Sequence, residues 1–187
     1  MKQITTVALM LNLGVAGVYA QQNVKMTFSG TGGPSTINLQ QPNTNNSEDN
    51  SAGNGELGSF TFRNVRAIRA TPEPSSTCSA PTQIYFSSVA GAGVFRFSDG
   101  SLLKVQLAQA GDCIDFVALE AHCTMTFKIT GGTGRFKDAS GTLMLTETVV
   151  PVLADASNNP VFFASTGEFS GTVSEAVMEE ERQGERR

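Results

Sequence analysis

The segment "ITGGTGRFKDASGTL", residues Ile129–Leu143, decides how this chain folds. It joins two stretches in which apolar and polar residues alternate, a pattern typical of half-buried β-strands. It lacks the spacing of a phosphate-binding loop, and the residues after it are strand-like, so it does not open a helix on a phosphate. Its glycines permit a tight bend, and its Phe supplies apolar surface to bury. The residues predicted to build this structural turn are Gly131, Gly132, Gly134, Phe136 and Gly141.

The alternation extends over most of the chain and predicts an all-β domain from residue 21 to residue 174. Val24, Met26 and Phe28 share one face of a strand, as do Phe95 and Phe97 further on. About eight such segments follow one another, separated by turn residues, and twelve Phe dominate the aromatic residues. Short antiparallel strands must hide their edges, and a closed barrel and a sandwich both do so. Composition and periodicity alone leave these two architectures open.

Residues 30–56 interrupt the pattern. This stretch is rich in Asn, Ser and Gly and has few apolar residues. A segment with so little to bury is typical of an exposed loop, so a long flexible loop is expected here.

The two ends of the sequence differ from the domain between them. Residues 1–20 combine a positive Lys2, a short apolar run and a small Ala20, which together predict a secretory signal peptide. No second apolar run has the length of a membrane span, so the mature protein is expected to be secreted or periplasmic, without a membrane span. Residues 175–187 are highly charged and are expected to form a disordered, solvated tail.

The three cysteines predict one disulfide and one free thiol in an oxidising compartment. Cys113 and Cys123 flank a short segment and are the preferred pair, whereas Cys78 remains an alternative partner for either. No CxxC motif is present and His122 is the only histidine, so no metal site is expected. No motif indicates a cofactor.

The charge of the chain argues against some partners. The net charge is −4 and no basic stripe occurs, so nucleic-acid binding is not expected. The acids Asp112, Asp115 and Glu120 cluster near a turn, where such residues usually face solvent. His122 shares a face with threonines and a lysine and is expected at the surface.

The turn also resembles a known family. Residues 131–136, "GGTGRF", with Ala139 and Gly141, resemble the GGTG-x-F-x-x-A-x-G signature of the allene oxide cyclase and dirigent barrels, most closely their bacterial secreted relatives. The similar region spans roughly residues 125–171. The resemblance implies an eight-stranded antiparallel barrel with an apolar cavity, often a trimer, and so favours the barrel over the sandwich. The matching residues serve turns and packing, so no catalytic role is transferred.

Three polar residues are candidates for ligand binding. Alternation places Glu147 on the same face as Leu143, Leu145 and Val149, and an inward carboxylate in a dry cavity would have a raised pKa. Asn64 and Arg66 follow two phenylalanines on one parity and are candidates to hold an anionic head group at the barrel mouth. The alternatives are a wet rim or an outward face for these residues. Arg135, within the turn, is expected to donate hydrogen bonds to loop carbonyl groups, with a functional role as the alternative.

Three functions stay open on the sequence. The preferred one is a barrel that binds a small apolar ligand without an assigned catalytic step. The second is an isomerase, cyclase or dirigent-type enzyme that positions a reactive substrate. The third is a structural surface protein whose barrel is filled by its own side chains.

Overall fold

The computed structural model describes residues 21–74, 77–157 and 159–174. The predicted signal peptide, residues 1–20, and the predicted charged tail, residues 175–187, lie outside the described residues. Eight strands and one 3-10 turn make up the regular structure. They are β1 (Gln21–Pro34), β2 (Thr44–Gly55), β3 (Phe60–Arg69), β4 (Gln83–Phe97), β5 (Leu102–Asp115), β6 (Glu120–Gly132), the 3-10 turn (Gly134–Phe136), β7 (Ser140–Ala154) and β8 (Pro160–Ser174).

The eight strands form one closed antiparallel barrel, the architecture that the family resemblance favoured over the sandwich. Each strand pairs with the next along the chain, and β1 pairs with β8 from Gln21↔Ser174 to Gly32↔Phe163. Closure removes both sheet edges, so the sandwich is excluded. No helix in the described ranges is long and apolar enough to cross a membrane.

The prediction of a long flexible loop at residues 30–56 was wrong. β1 continues to Pro34, β2 occupies Thr44–Gly55, and only residues 35–43 connect them. The inward positions of β2 are polar or glycine, so the strand carries none of the apolar alternation that identifies its neighbours. Glycine is required at Gly53 because a side chain there would collide with the Phe60 ring. The Phe60 ring of β3 therefore covers the position where β2 has no apolar side chain of its own.

The half of the barrel that contains Gln21 at the start of β1 and Ser174 at the end of β8 is filled with side chains; we call this the closed end. Phe62 lies 4.2 Å from Phe95 and 5.0 Å from Phe169, measured between ring centroids. Burial of each such ring is worth about 1.5–3 kcal/mol, so this cluster is the main apolar source of stability. The large side chains with less than 2% exposure are Phe95, Phe127, Phe136, Phe169, Met26, Leu57, Leu103, Met125, Leu143 and Val173.

The quoted turn seals the closed end. Phe136 is fully buried and its ring lies 4.7 Å from that of Phe97. Gly134 has φ +60°, a conformation that glycine adopts without strain. Arg135 covers the Phe97 ring and donates a hydrogen bond to the carbonyl oxygen of Leu57, as predicted. The glycine-rich segment is therefore a plug, and it lies far from the other end of the barrel, which we call the open end.

The disulfide differs from the preferred prediction. Cys78 is bonded to Cys113, and Cys123 is free and buried. Strict alternation from Leu103 would turn Cys113 inward, but β5 has a register shift between Leu107 and Gln109 that reverses its parity. Cys113 therefore faces outward, where the β3–β4 connection carries Cys78 to it, while Cys123 faces the barrel interior.

Candidate functional site

A cavity of about 670 Å³ opens at the open end of the barrel. Its walls are mainly apolar, and its floor is polar, formed by Arg66, Asp112 and Cys123. The apolar side chains that line it are Pro34, Ile68, Phe86, Ile114, Phe116, Leu119, Ala121, Val149, Pro151, Pro160 and Phe163. Ligand pockets in proteins commonly measure about 300–1,000 Å³ and are predominantly apolar with a few placed polar groups. The cavity has the size and the lining of a small-molecule site.

The rim of the cavity exposes apolar side chains to solvent. Phe116, Val117 and Leu119 in the β5–β6 turn are 55%, 80% and 61% exposed. Val152 and Leu153 at the end of β7 are 58% and 60% exposed. Scattered exposed apolar residues are ordinary, but these two groups lie at the same end of the barrel as the cavity. An apolar molecule therefore meets apolar surface before it enters.

A ring of polar side chains separates the cavity from the packed half. These residues point inward at adjacent levels in the middle of the barrel, and we call them the polar belt: Asp49, Asn64, Arg66, Asp112, Cys123, Glu147 and Ser165. On β3 the inward side chains change from Phe60 and Phe62, through the belt, to Ile68 at the mouth. The barrel interior is thus apolar at the closed end, polar in the middle and mainly apolar at the mouth.

Arg66 is the centre of the polar belt. One of its terminal nitrogens, Nη1, donates hydrogen bonds to both carboxylate oxygens of Asp112 at 2.7 Å. Its Nε lies 3.7 Å from Oδ2 of Asp49. Burial lowers the pKa of Arg66, but the carboxylates of Asp112 and Asp49 raise it by more. The guanidinium therefore stays charged and is already engaged by two acids.

Glu147 faces the interior and is 8% exposed. Burial, followed by the charge of Asp49, raises the pKa of its carboxyl group to about 7, while Arg66 and a hydrogen bond from Ser165 act in the opposite direction. A carboxyl group with this pKa is present in both protonation states near neutral pH. It can donate a proton, accept one, or hold a positive charge.

Several belt atoms lack a hydrogen-bond partner among the described residues. They are Oδ2 of Asp49, Oδ1 of Asn64 and Nε of Arg66. A buried polar atom without a partner costs about 1–3 kcal/mol, so such atoms are uncommon in folded proteins. Two of the three are acceptors. Burial also raises the pKa of Asp49, and the positive charge of Arg66 offsets this increase only in part.

Cys123 is not an activated thiol. Burial, followed by the charge of Asp112, raises the pKa of the Cys123 thiol well above its ordinary value. The thiolate is the nucleophilic form, so this cysteine is inert at neutral pH.

The remaining predicted residues lie at the rim of the cavity, as Asp115 and Glu120 do, or on the outer face. His122 is exposed on the outer face and pairs with Glu120, Nε2 to Oε1, at 2.8 Å. Asp115 accepts hydrogen bonds from the backbone of the β5–β6 turn, as expected for a turn acid. Asp112 was placed with these acids by its sequence position, and that interpretation was wrong because the parity change in β5 turns it into the barrel. Within the described ranges, no group of three or more His, Cys, Asp or Glu residues has an arrangement that could hold a metal ion.

The structure brings all three predicted ligand-binding residues into the polar belt. Asn64 and Arg66 are buried at 3% and 5% exposure, and Glu147 lies across the barrel from them. Sequence reasoning missed Asp49, Asp112 and Ser165. Comparison with protein-family models and with curated proteins found no match for the chain.

Proposed function

We propose that this chain is a secreted or periplasmic barrel protein that binds a small apolar molecule in the cavity at its open end. The observation that carries the proposal is the cavity itself, about 670 Å³ with mainly apolar walls and a polar floor. A closed barrel with a packed aromatic half provides a rigid wall for such a site. The Cys78–Cys113 disulfide fits an oxidising compartment.

A structural protein with a filled barrel is a weaker candidate. That role requires side chains to occupy the whole interior, and the phenylalanines fill only the closed end. Above the polar belt the inward residues are spaced around open volume. The empty half therefore favours a binding role.

The resemblance to the allene oxide cyclase and dirigent barrels is part of this proposal. The residues that carry it, Gly134, Phe136 and Gly141 among them, build the plug at the closed end. They build a turn and its packing, and they lie away from the cavity. A common substrate does not follow from them, and neither does a trimer.

An enzyme that positions a reactive substrate is the second candidate, and Glu147 is the observation that favours it. A buried carboxyl group with a pKa of about 7 is suited to general acid or base catalysis. If this candidate is right, a molecule recovered with the protein is converted on incubation, and Glu147→Gln abolishes conversion while the fold is kept. If the ligand is unchanged after incubation with the wild-type protein, the enzyme candidate is contradicted and only the binding function remains.

The proposed function is tested by purifying the protein gently from its own source and identifying any retained small molecule by native mass spectrometry. A retained apolar molecule is expected, and a mass equal to that of the bare chain under every gentle condition would contradict the proposal.

A matched pair of variants locates the site. Val149 lines the cavity, whereas its neighbour Val150 points outward and is 42% exposed. Val149→Trp fills the mouth and is expected to remove binding of the recovered molecule, or of the neutral fluorescent probe N-phenyl-1-naphthylamine. Val150→Trp adds the same ring to the outer face and is expected to leave binding unchanged. Equal binding by both variants would place the ligand elsewhere.

A further inference from the structure

The polar belt is richer in acid than in base. Three carboxyl groups, Asp49 on β2, Asp112 on β5 and Glu147 on β7, face a single guanidinium, Arg66 on β3. The other belt groups are neutral: Asn64 on β3, the thiol of Cys123 on β6 and the hydroxyl of Ser165 on β8. With all carboxyl groups ionised, the belt therefore carries an excess of negative charge at the floor of the cavity.

The excess is not balanced by hydrogen bonds from the protein. Oδ2 of Asp49 and Oδ1 of Asn64 are acceptors without a donor among the described residues, and Asn64 is only 3% exposed. A side chain at Gly32 would collide with both Oδ1 of Asp49 and the ring of Phe163, so the acid meets the cavity wall at this glycine. Asp49 and Asn64 are register partners on β2 and β3, and Oδ2 of Asp49 lies 3.7 Å from Nε of Arg66, which forms part of the cavity floor.

We infer that the cavity is built for an apolar molecule that carries a positively charged ammonium group, with the ammonium at the polar belt and the apolar body in the mouth. The inference rests on the proposed function, since it names the ligand class of the same cavity. An ammonium group supplies three hydrogen-bond donors for the unpartnered acceptors and one positive charge to offset the surplus of carboxylates. The carboxylates are already desolvated by the fold, so a cation that enters loses only its own hydration.

The geometry disfavours an anionic head group, which the sequence suggested for Asn64 and Arg66. Asp112 occupies Nη1 of Arg66 through two 2.7 Å hydrogen bonds, and Asp49 approaches Nε. A carboxylate ligand that approached Arg66 would face the carboxylates of Asp112 and Asp49 at short range. Like charges in a poorly solvated site repel strongly.

Three ligands with the same alkyl chain and different ends test the inference: decylamine, 1-decanol and decanoate. Each is titrated into the full mature chain against bound N-phenyl-1-naphthylamine near neutral pH. Decylamine is expected to displace the probe at a concentration about tenfold or more below that of decanol, and decanoate is expected to be the weakest. Decylamine affinity is also expected to rise several-fold from about pH 6 to about pH 8, because Glu147 loses its proton over that interval while the amine stays charged.

Two isosteric variants assign the effect to the polar belt. Glu147→Gln and Asp49→Asn each remove one carboxylate and keep the shape, so each is expected to reduce the preference for decylamine over decanol. Glu147→Gln should also abolish the rise with pH. Glu168→Gln removes a carboxylate on the outer face, where Glu168 pairs with Lys25 at 2.9 Å, and is expected to keep both effects.

The outcomes separate this inference from the function on which it rests. Equal binding of the three ligands, or tighter binding of decanoate, would overturn the ammonium preference and leave the apolar cavity intact. A preference for decylamine that Glu168→Gln also removes would show nonspecific attraction by an acidic protein and would overturn it as well. Failure of all three ligands and of the probe to bind would contradict the proposed function, and the inference with it.

Discussion

Glu147→Gln is expected to change how the stability of the barrel depends on pH. The pKa of Glu147 is about 7 in the folded chain, against an ordinary value of 4.5. Between these values the unfolded carboxyl group is ionised and the folded one is protonated, so the folded state binds more protons and loses stability as the pH rises. A difference of about 2.5 in pKa, at about 1.4 kcal/mol for each unit, corresponds to about 3 kcal/mol. Glutamine cannot ionise, so the variant is expected to gain up to that amount relative to wild type across the interval.

The measurement is urea unfolding followed by circular dichroism at several pH values from about 5 to about 8, with the disulfide intact. The quantity of interest is the free energy of unfolding of the variant minus that of wild type. It should rise with pH and level off above about 7. Asp49 also has a raised pKa, but it is present in both proteins and largely cancels in the difference. A difference that stays constant over the whole range would refute the reasoning, because Glu147 would then not be held in a poorly solvated interior.

Three further predictions concern the framework around the site. Reduction of the disulfide, which closes a loop of 35 residues, is expected to lower the free energy of unfolding by about 3–4 kcal/mol, measured in urea with and without reductant. Arg66→Met and Asp112→Leu should each cost about 3–5 kcal/mol, whereas the double variant that combines them should cost less than either single change; additive costs in this double-mutant cycle would contradict a coupled pair. Gly141→Ala should cost about 1–3 kcal/mol more than Gly100→Ala by thermal unfolding, since a side chain at Gly141 meets the carbonyl of Thr172 while Gly100, also at positive φ, faces open space.

The strands of the barrel were predictable because most of their inward-facing residues are apolar. Where Val24, Met26 and Phe28 alternate with polar residues, the inward face of the strand is visible in the sequence itself. The turn at Gly134 was also predictable, because the sequence around Gly134 and Phe136 fits neither the start of a helix nor a phosphate-binding loop. Closure was not visible in this way, because periodicity describes single strands and says nothing of which edges meet.

The polar belt was only partly predictable, for the same physical reason. Alternation identifies an inward face by its apolar residues, so a strand whose inward residues are Ser47 and Asp49 looks like a loop. Asn64 and Arg66 were found because two phenylalanines precede them on the same parity. Asp112 was missed because a register shift in β5 lies between it and the apolar residues that mark the inward face. The type of residue at such a shift does not reveal it in the sequence. The preferred Cys113–Cys123 pair was based on the short segment between them, whereas the structure bonds Cys113 to Cys78.

The composition of the belt itself argues that the site is functional. The fold does not need charge in its interior, since the closed end shows that phenylalanine and leucine fill this barrel well. Replacing a buried ion pair by apolar residues of similar volume is often neutral or stabilising, by about 1–4 kcal/mol. A belt with three carboxyl groups, one guanidinium and unpartnered acceptors therefore holds the barrel below the stability that its own packing would allow. Such a cost is expected where a chain must present polar groups to something in the cavity above them, and three carboxyl groups against one guanidinium favour a positively charged partner.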